Sequence, residues 1–176
     1  YWESRLNSFC TLGQFTIQTK NPKRALQYFE NALEIANVTN HRKGADIRNE
    51  LAEIYLERDR PNKVIEVLHQ SFIQLGVNDA VKVYDAYLMD AYSNIAMAFY
   101  KKTEFDSVLY YTNKAEEQYT FFIEKYAFDQ SKISHSELRR NNLELAVRTY
   151  RKLYEATKDD NYLVDALLFA NRAKSN

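Results

Sequence analysis

LNSFCTLGQFTIQTKNPKRALQYFENAL, residues 6–33, decides the fold. Phe9, Leu12, Gly13 and Thr16 recur at i, i+3, i+4 and i+7, one face of a 3.6-residue helix. Lys20-Asn21-Pro22 ends that helix and opens another. Asn is a favoured N-cap, and proline at the first helical position gives up only an N–H that a helix start leaves unpaired. The second helix carries Ala25, Leu26, Phe29, Ala32 and Leu33 on one face. Gly13 stands in mid-helix, where it costs about 1 kcal/mol relative to Ala. Its presence predicts close approach of the partner helix, with Ala25 and Ala32 on the other side.

The spacing Phe9-x2-Leu12-Gly13-x2-Thr16, then Ala25-x3-Phe29, then Ala32, resembles the tetratricopeptide (TPR) pattern W-x2-L-G-x2-Y…A-x3-F. Phe9 takes the place of Trp and Thr16 that of Tyr. The resemblance implies an all-α protein of about eight helices, whose antiparallel pairs stack into a right-handed superhelical solenoid with a concave groove.

The unit recurs along the chain. Leu51, Ala52 and Tyr55 repeat Leu12, Gly13 and Thr16 at an offset of 39, and Pro61 repeats Pro22 at the same offset. Val64, Leu68 and Ser71 repeat Ala25, Phe29 and Ala32. Ile95, Ala96 and Phe99 follow at a further offset of 44, with Val108 and Ala115 in the next helix. Leu143, Val147, Tyr150 and Tyr154 form a last stripe, and Ala166 and Ala173 align with Val108 and Ala115. The expected units span about 2–37, 44–76, 78–128 and 136–176 of a single repeat domain. Within them, polar residues 37–43 form a loop with His41 exposed, and Gly76 caps a helix. Asn78 or Asp79 opens a long helix reaching Lys102. Phe121, Phe122 and Phe128 bury against the helix that follows. DQSKIS (129–134) is a turn, and Ser134–Glu137 has the form of a capping box. The last pair, LYEATKDDNYLVDALLFANRAK, is also similar to the helices that precede the peptidase-like domain of TPR–CHAT proteins. The chain starts with Tyr, inside a helix, and reads as a piece of a larger protein.

Composition narrows the function. Basic and acidic residues balance at 24 each, which argues against a nucleic-acid binder with a net basic face. The single Cys excludes an internal disulfide framework. No apolar run approaches the ~20 residues of a membrane span, no leader is visible, and a cytoplasmic location is expected. There is no Gly-rich phosphate loop, no Cys-x2-Cys, no His-x3-His and no Gly-x-Ser-x-Gly. Neither catalysis, nor a metal, nor a cofactor is expected. Cys10 has no base or orienting group that can be placed beside it.

In TPR proteins the first helix of each pair lines the concave face. Carried onto this chain, that implies Asn7, Cys10, Gln14 and Gln18, then Asp46, Asn49, Glu53 and Glu57, then Asp90, Ser93, Asn94, Met97 and Lys101. Some relatives hold acidic C-terminal tails in a clamp of Lys, Arg and Asn. Here those positions carry Cys10, Gln14, Glu50, Asp90 and Asn94, so two have reversed charge. The resemblance therefore implies a protein- or peptide-binding scaffold in a larger, bacterial regulatory or signalling protein, with a basic or neutral partner. Arg139, Arg140, Arg148, Arg151 and Lys152 give the fourth unit a basic side, which could dock on the acidic groove of a second copy.

Overall fold

A computed structural model describes residues 1–77, 83–125 and 131–174, of which 123–124 and 131–135 by backbone alone. Among these residues there are eight helices and no strand. The chain divides into two compact units, Tyr1–Val83 and Tyr84–Asn176. The first unit holds α1 (Trp2–Gln18), α2 (Pro22–Val38), α3 (Lys43–Glu57) and α4 (Pro61–Gln74). The second holds α5 (Ala86–Lys101), α6 (Phe105–Lys125), α7 (Ser131–Thr157) and α8 (Asn161–Lys174). Within each unit every helix packs on the next in the chain, and in the second α5 also touches α7. Among the described connections, those after α1, α2, α3, α5 and α7 are three or four residues long and reverse the chain, so these neighbours run antiparallel, as in a TPR-like helical repeat.

The α1–α2 contact is the tightest feature of the first unit. The buried stripe of α1 is Leu6, Cys10, Gly13 and Thr16. The spacing had placed Phe9 and Leu12 there instead; Phe9 is only half-buried and Leu12 is 41% exposed. Gly13 and Thr16 are buried as expected, while Leu6 and Cys10 take the places of Phe9 and Leu12, so Cys10 is in the core. A Cβ on Gly13 would lie 2.7 Å from Cζ and 2.9 Å from both Cε atoms of Phe29. Close approach is confirmed, but it is the face of a buried ring that fills the space, not the two alanines. Around Phe29 gather Ala25, Ala32 and Ala36 of α2 and Ile47, Leu51 and Ile54 of α3.

The turns are built alike. Asn21 caps α2 through its Oδ1, which accepts the Arg24 N–H at 3.2 Å, and Pro22 follows. At the other helix ends, Lys20, Asn40, Asp59, Gly76 and Thr103 all have φ between 48° and 72°. After each, a backbone N–H reaches back to the last turn: Asn21 to the Thr16 carbonyl, His41 to Ala36, Arg60 to Tyr55, Val77 to Phe72 and Glu104 to Phe99. These are Schellman closures, which satisfy carbonyls that a helix end leaves open. Gly76 meets the requirement without strain; the other four residues carry a Cβ in a left-handed conformation that glycine adopts freely.

A buried arginine ties the ends of three helices in the first unit. Arg48 donates from Nη2 to Asn37 Oδ1 and from Nη1 to Gln74 Oε1, each at 2.6 Å, and Gln74 Nε2 donates to the His41 carbonyl at 3.0 Å. His41 is half-buried rather than exposed as expected. Its Nδ1 accepts the Lys43 N–H at 3.2 Å at the start of α3, and its ring stands edge-on to Trp2.

In the second unit, Asp85 is the N-cap of α5, its side chain accepting the Tyr87 N–H. The helix thus starts well after Asn78 and Asp79, which lie outside the described residues, as does Phe128. Phe121 stacks on Tyr84, in the segment before α5, with ring centroids 3.9 Å apart. Residues 131–134 belong to α7, so the expected turn there is helix. Ser134–Glu137 lies inside that helix, where the amide hydrogens already have intrahelical partners and a capping box has nothing to cap. Among the described residues, Ala96, Val108 and Leu145 form one buried cluster and Leu143, Ala146 and Phe169 another.

Two predictions follow from the packing and the turns. Gly13→Leu should lower the unfolding free energy by roughly 1–3 kcal/mol through overpacking. In a Phe29→Leu background, Gly13→Ala should instead stabilise, because only the gain in helix propensity of about 1 kcal/mol remains; denaturant unfolding of the four chains of this double-mutant cycle measures the coupling. Thr103→Gly should raise the melting temperature by relieving a β-branched residue held at positive φ. Gly76→Ala should lower it, with changes of about 1 kcal/mol in each case.

Candidate partner-binding face

The best-defined polar face of the first unit lies between α1 and α3. Asp46, Glu50 and Glu53 are spaced i, i+4 and i+7 on α3, so their side chains share one side of the helix. Opposite them, α1 offers Asn7 and Gln14, themselves seven apart, both exposed. Lys43 Nζ donates to Asn7 Oδ1 at 2.9 Å, bridging the two helices at one end of the row. Gln14 donates to the Glu50 carboxylate further along.

Burial raises the pKa of both half-buried carboxyls. Glu50 is pushed up by desolvation and by Asp46, against the lowering effect of the Gln14 hydrogen bond. Asp46 is pushed up by desolvation, against Lys43. Cys10 lies beneath, within the field of Lys43, Asp46 and Glu50, and burial pushes its thiol up. A thiol held protonated is a poor nucleophile, which agrees with its place in the core. Asp46, Glu50 and Glu53 give this face of α3 three carboxylates, with Lys43 close to Asp46.

The remaining expected lining residues are spread more widely. Asn49 is 5% exposed and turned toward the core of the unit, while Gln18 and Glu57 are exposed. Asp90, Ser93, Asn94 and Met97 are half-buried on α5 of the second unit, and Lys101 at its end is exposed. Ser93 Oγ donates to the Met89 carbonyl, and Met97 packs on the Ala96, Val108 and Leu145 cluster. Lys43 escaped the expected set, and Glu50, expected only as a clamp position, joins the face. The i, i+4 spacing from Asp46 points to Glu50. Lys43 is placed by the turn before α3, which has no such signature.

The basic side expected on α7 is smaller than its residue count. Arg139 is largely buried and meets Glu116 of α6 with two nitrogens, Nε at 3.0 Å and Nη2 at 2.6 Å, while stacking over Tyr119. Lys152 pairs with Glu155, Arg140 lies 4.0 Å from Glu144, and Arg148 sits over the Tyr100 ring. Arg139 is a clamp between α6 and α7, not a docking charge. Among the described residues no group of His, Cys, Asp and Glu is placed to hold a metal ion, and no helix is long and apolar enough to cross a membrane.

The raised carboxyls give a pH prediction. A carboxyl whose folded pKa lies above its unfolded one holds its proton more firmly in the folded state, so its ionisation weakens the fold as pH rises through that window. Glu50→Gln should raise the melting temperature at neutral pH. The gain should shrink as pH falls through the raised pKa toward the ordinary value of 4.5; thermal melts of parent and variant across pH test this.

No curated protein matches this chain. Residues 6–39, which span α1, α2 and the turn between them, match the family model described as Tetratricopeptide repeat. The chain thus carries a tetratricopeptide repeat at its start, and its paired helices are consistent with a TPR-like helical repeat; such repeats typically serve as protein-interaction scaffolds.

Proposed function

We propose that the α1–α3 face binds a basic or neutral peptide segment of a partner protein, with Asn7, Gln14, Asp46, Glu50 and Glu53 as its contacts. The supporting observation is the row of carboxylates on α3 set against amide side chains on α1, with two of the carboxyls partly desolvated. Partly desolvated charges attract an opposite charge more strongly than fully hydrated ones. An arginine or lysine brought to this row gains that attraction and relieves the mutual repulsion of Asp46 and Glu50. Asn7 and Gln14 offer both donors and acceptors to a peptide backbone. An acidic tail meets repulsion here, and a nucleic-acid backbone does so for the same reason.

On this reading Asp90, Asn94, Met97 and Lys101 on α5 are contacts of the second unit by itself, with acidic, polar, apolar and basic character in turn. The chain acts without catalysis, as the interaction or sensing region of a larger bacterial regulatory protein.

Selection from a displayed peptide library tests the reading, with an Asp46→Asn/Glu50→Gln/Glu53→Gln chain as control. Segments with Lys or Arg, or neutral ones, should be enriched on the parent. Their affinity for the control should fall at least about tenfold, the equivalent of ~1.4 kcal/mol. Equal enrichment on both chains would sink the proposal.

A further inference from the structure

Asp46 and Glu50 stand four residues apart on α3, and both are half-buried. Four residues of helix rise about 6 Å, and both side chains lean the same way from the axis, so the two carboxyls keep that interval. Glu50 is held by the Gln14 hydrogen bond. Asp46 lies within the field of Lys43, whose ammonium is tied to Asn7 Oδ1 at 2.9 Å. The face thus offers two acceptors for cations at a set spacing, not only a diffuse negative charge.

Two kinds of partner present cations at that interval. In an extended segment, residues i and i+2 lie on one side, about 6.7 Å apart. In a helix, residues i and i+4 do so, about 6 Å apart. The walls of the face decide between them. Lys43 reaches Asn7 and Gln14 reaches Glu50, so side chains of α1 and α3 meet across it. A helix with its side chains is roughly 10–12 Å across and does not enter such a gap. A docking helix also brings an apolar stripe, whereas Asn7, Gln14, Asp46 and Glu50 are all polar. An extended segment instead leaves its backbone N–H and C=O groups open, and the amides of Asn7 and Gln14 can meet both. Its adjacent residues point to opposite sides, so a cation at i+1 or i+3 turns away from α3.

Given the peptide-binding role proposed for this face, we infer that it reads spacing as well as charge. The partner is an extended segment with two basic residues at alternate positions, one on Asp46 and the other on Glu50. Arginine suits both places better than lysine, because its planar fork takes a carboxylate with two hydrogen bonds. The residue between them points away from α3 and is unrestricted. Lys43 closes the row beyond Asp46, where a third basic residue would meet its like charge.

Capped peptides of equal length and charge test this. Three carry two arginines in a glycine–serine background with zero, one or two residues between them. A fourth carries its arginines at i and i+4 in an alanine-rich, helix-forming background. NMR titration of the isotope-labelled chain reads weak affinities and locates the shifts. The peptide with one intervening residue should bind about fivefold tighter than the other three, the worth of one added ion contact, with shifts on α1 and α3. That preference should vanish on Asp46→Asn and on Glu50→Gln, since each leaves one acceptor; thermal melts check that both variants fold. Binding that weakens on neutralisation but ignores spacing overturns the inference and leaves the peptide-binding role standing. Tightest binding by the helical peptide overturns it in favour of a helical partner. Equal binding by the parent and an Asp46→Asn/Glu50→Gln chain, or none by either, overturns the inference and that role together.

Discussion

The approach of Phe29 to the bare backbone of Gly13 is the contact on which the first unit depends. A ring lying 2.7 Å from where a Cβ would be leaves no slack between α1 and α2. It sets their separation, and through it the placing of Ala25, Ala32 and Ala36 and of the aliphatic residues of α3. Glycine is costly inside a helix, so the contact trades local helix stability for close packing. The same helix then shows its other faces to different tasks: Asn7 and Gln14 toward α3, Leu12 and Phe15 toward solvent.

Chain reversal is the second constraint, and it is met by backbone geometry more than by residue choice. Five Schellman closures share one hydrogen-bond pattern although their left-handed residues are Lys, Asn, Asp, Gly and Thr. Only two of these, Gly and Asn, commonly favour such a conformation. The packing of helix pairs must therefore hold Lys20, Asp59 and Thr103 where local preference would not. Strain at a turn is tolerated because an unpaired carbonyl at a buried helix end costs more.

Charge is handled differently in the two units. In the second, Arg139 and Glu116 satisfy one another across α6 and α7, so the ion pair serves the fold. In the first, Arg48 is held by two neutral side-chain amides, and Asp46 and Glu50 of α3 are partly desolvated carboxyls. Burial weakens the ionised forms of Asp46 and Glu50, a cost to stability at neutral pH. A bound cation would offset that cost, which connects the stability of the empty face to its proposed use.

The helical repeat was legible in the sequence because periodicity and punctuation are local: Pro22 and Pro61 open equivalent helices, and Gly76 closes one. Much of the core was legible too, as Ala25, Phe29, Ala32, Val64, Leu68, Ile95 and Ala96 are buried where the repeat places them. The acids of the α3 row were visible, Asp46 and Glu53 as lining positions and Glu50 as a clamp position. Other features depended on which elements meet. On α1, Gly13 and Thr16 face inward as expected, but Leu6 and Cys10 rather than Phe9 and Leu12 complete the stripe, since packing rather than the apolar count decides which side faces inward. A Ser-x-x-Glu signal became mid-helix because α7 begins earlier. Arg139 left the surface because Glu116 lies across from it, and Lys43 joined the binding face because its turn delivers it to Asn7. The sequence by itself determined helices, turns and repeat, which arise from interactions a few residues apart. Only the tertiary structure decided which charges are spent inside and which face a partner, because that depends on residues distant in the chain that packing brings together.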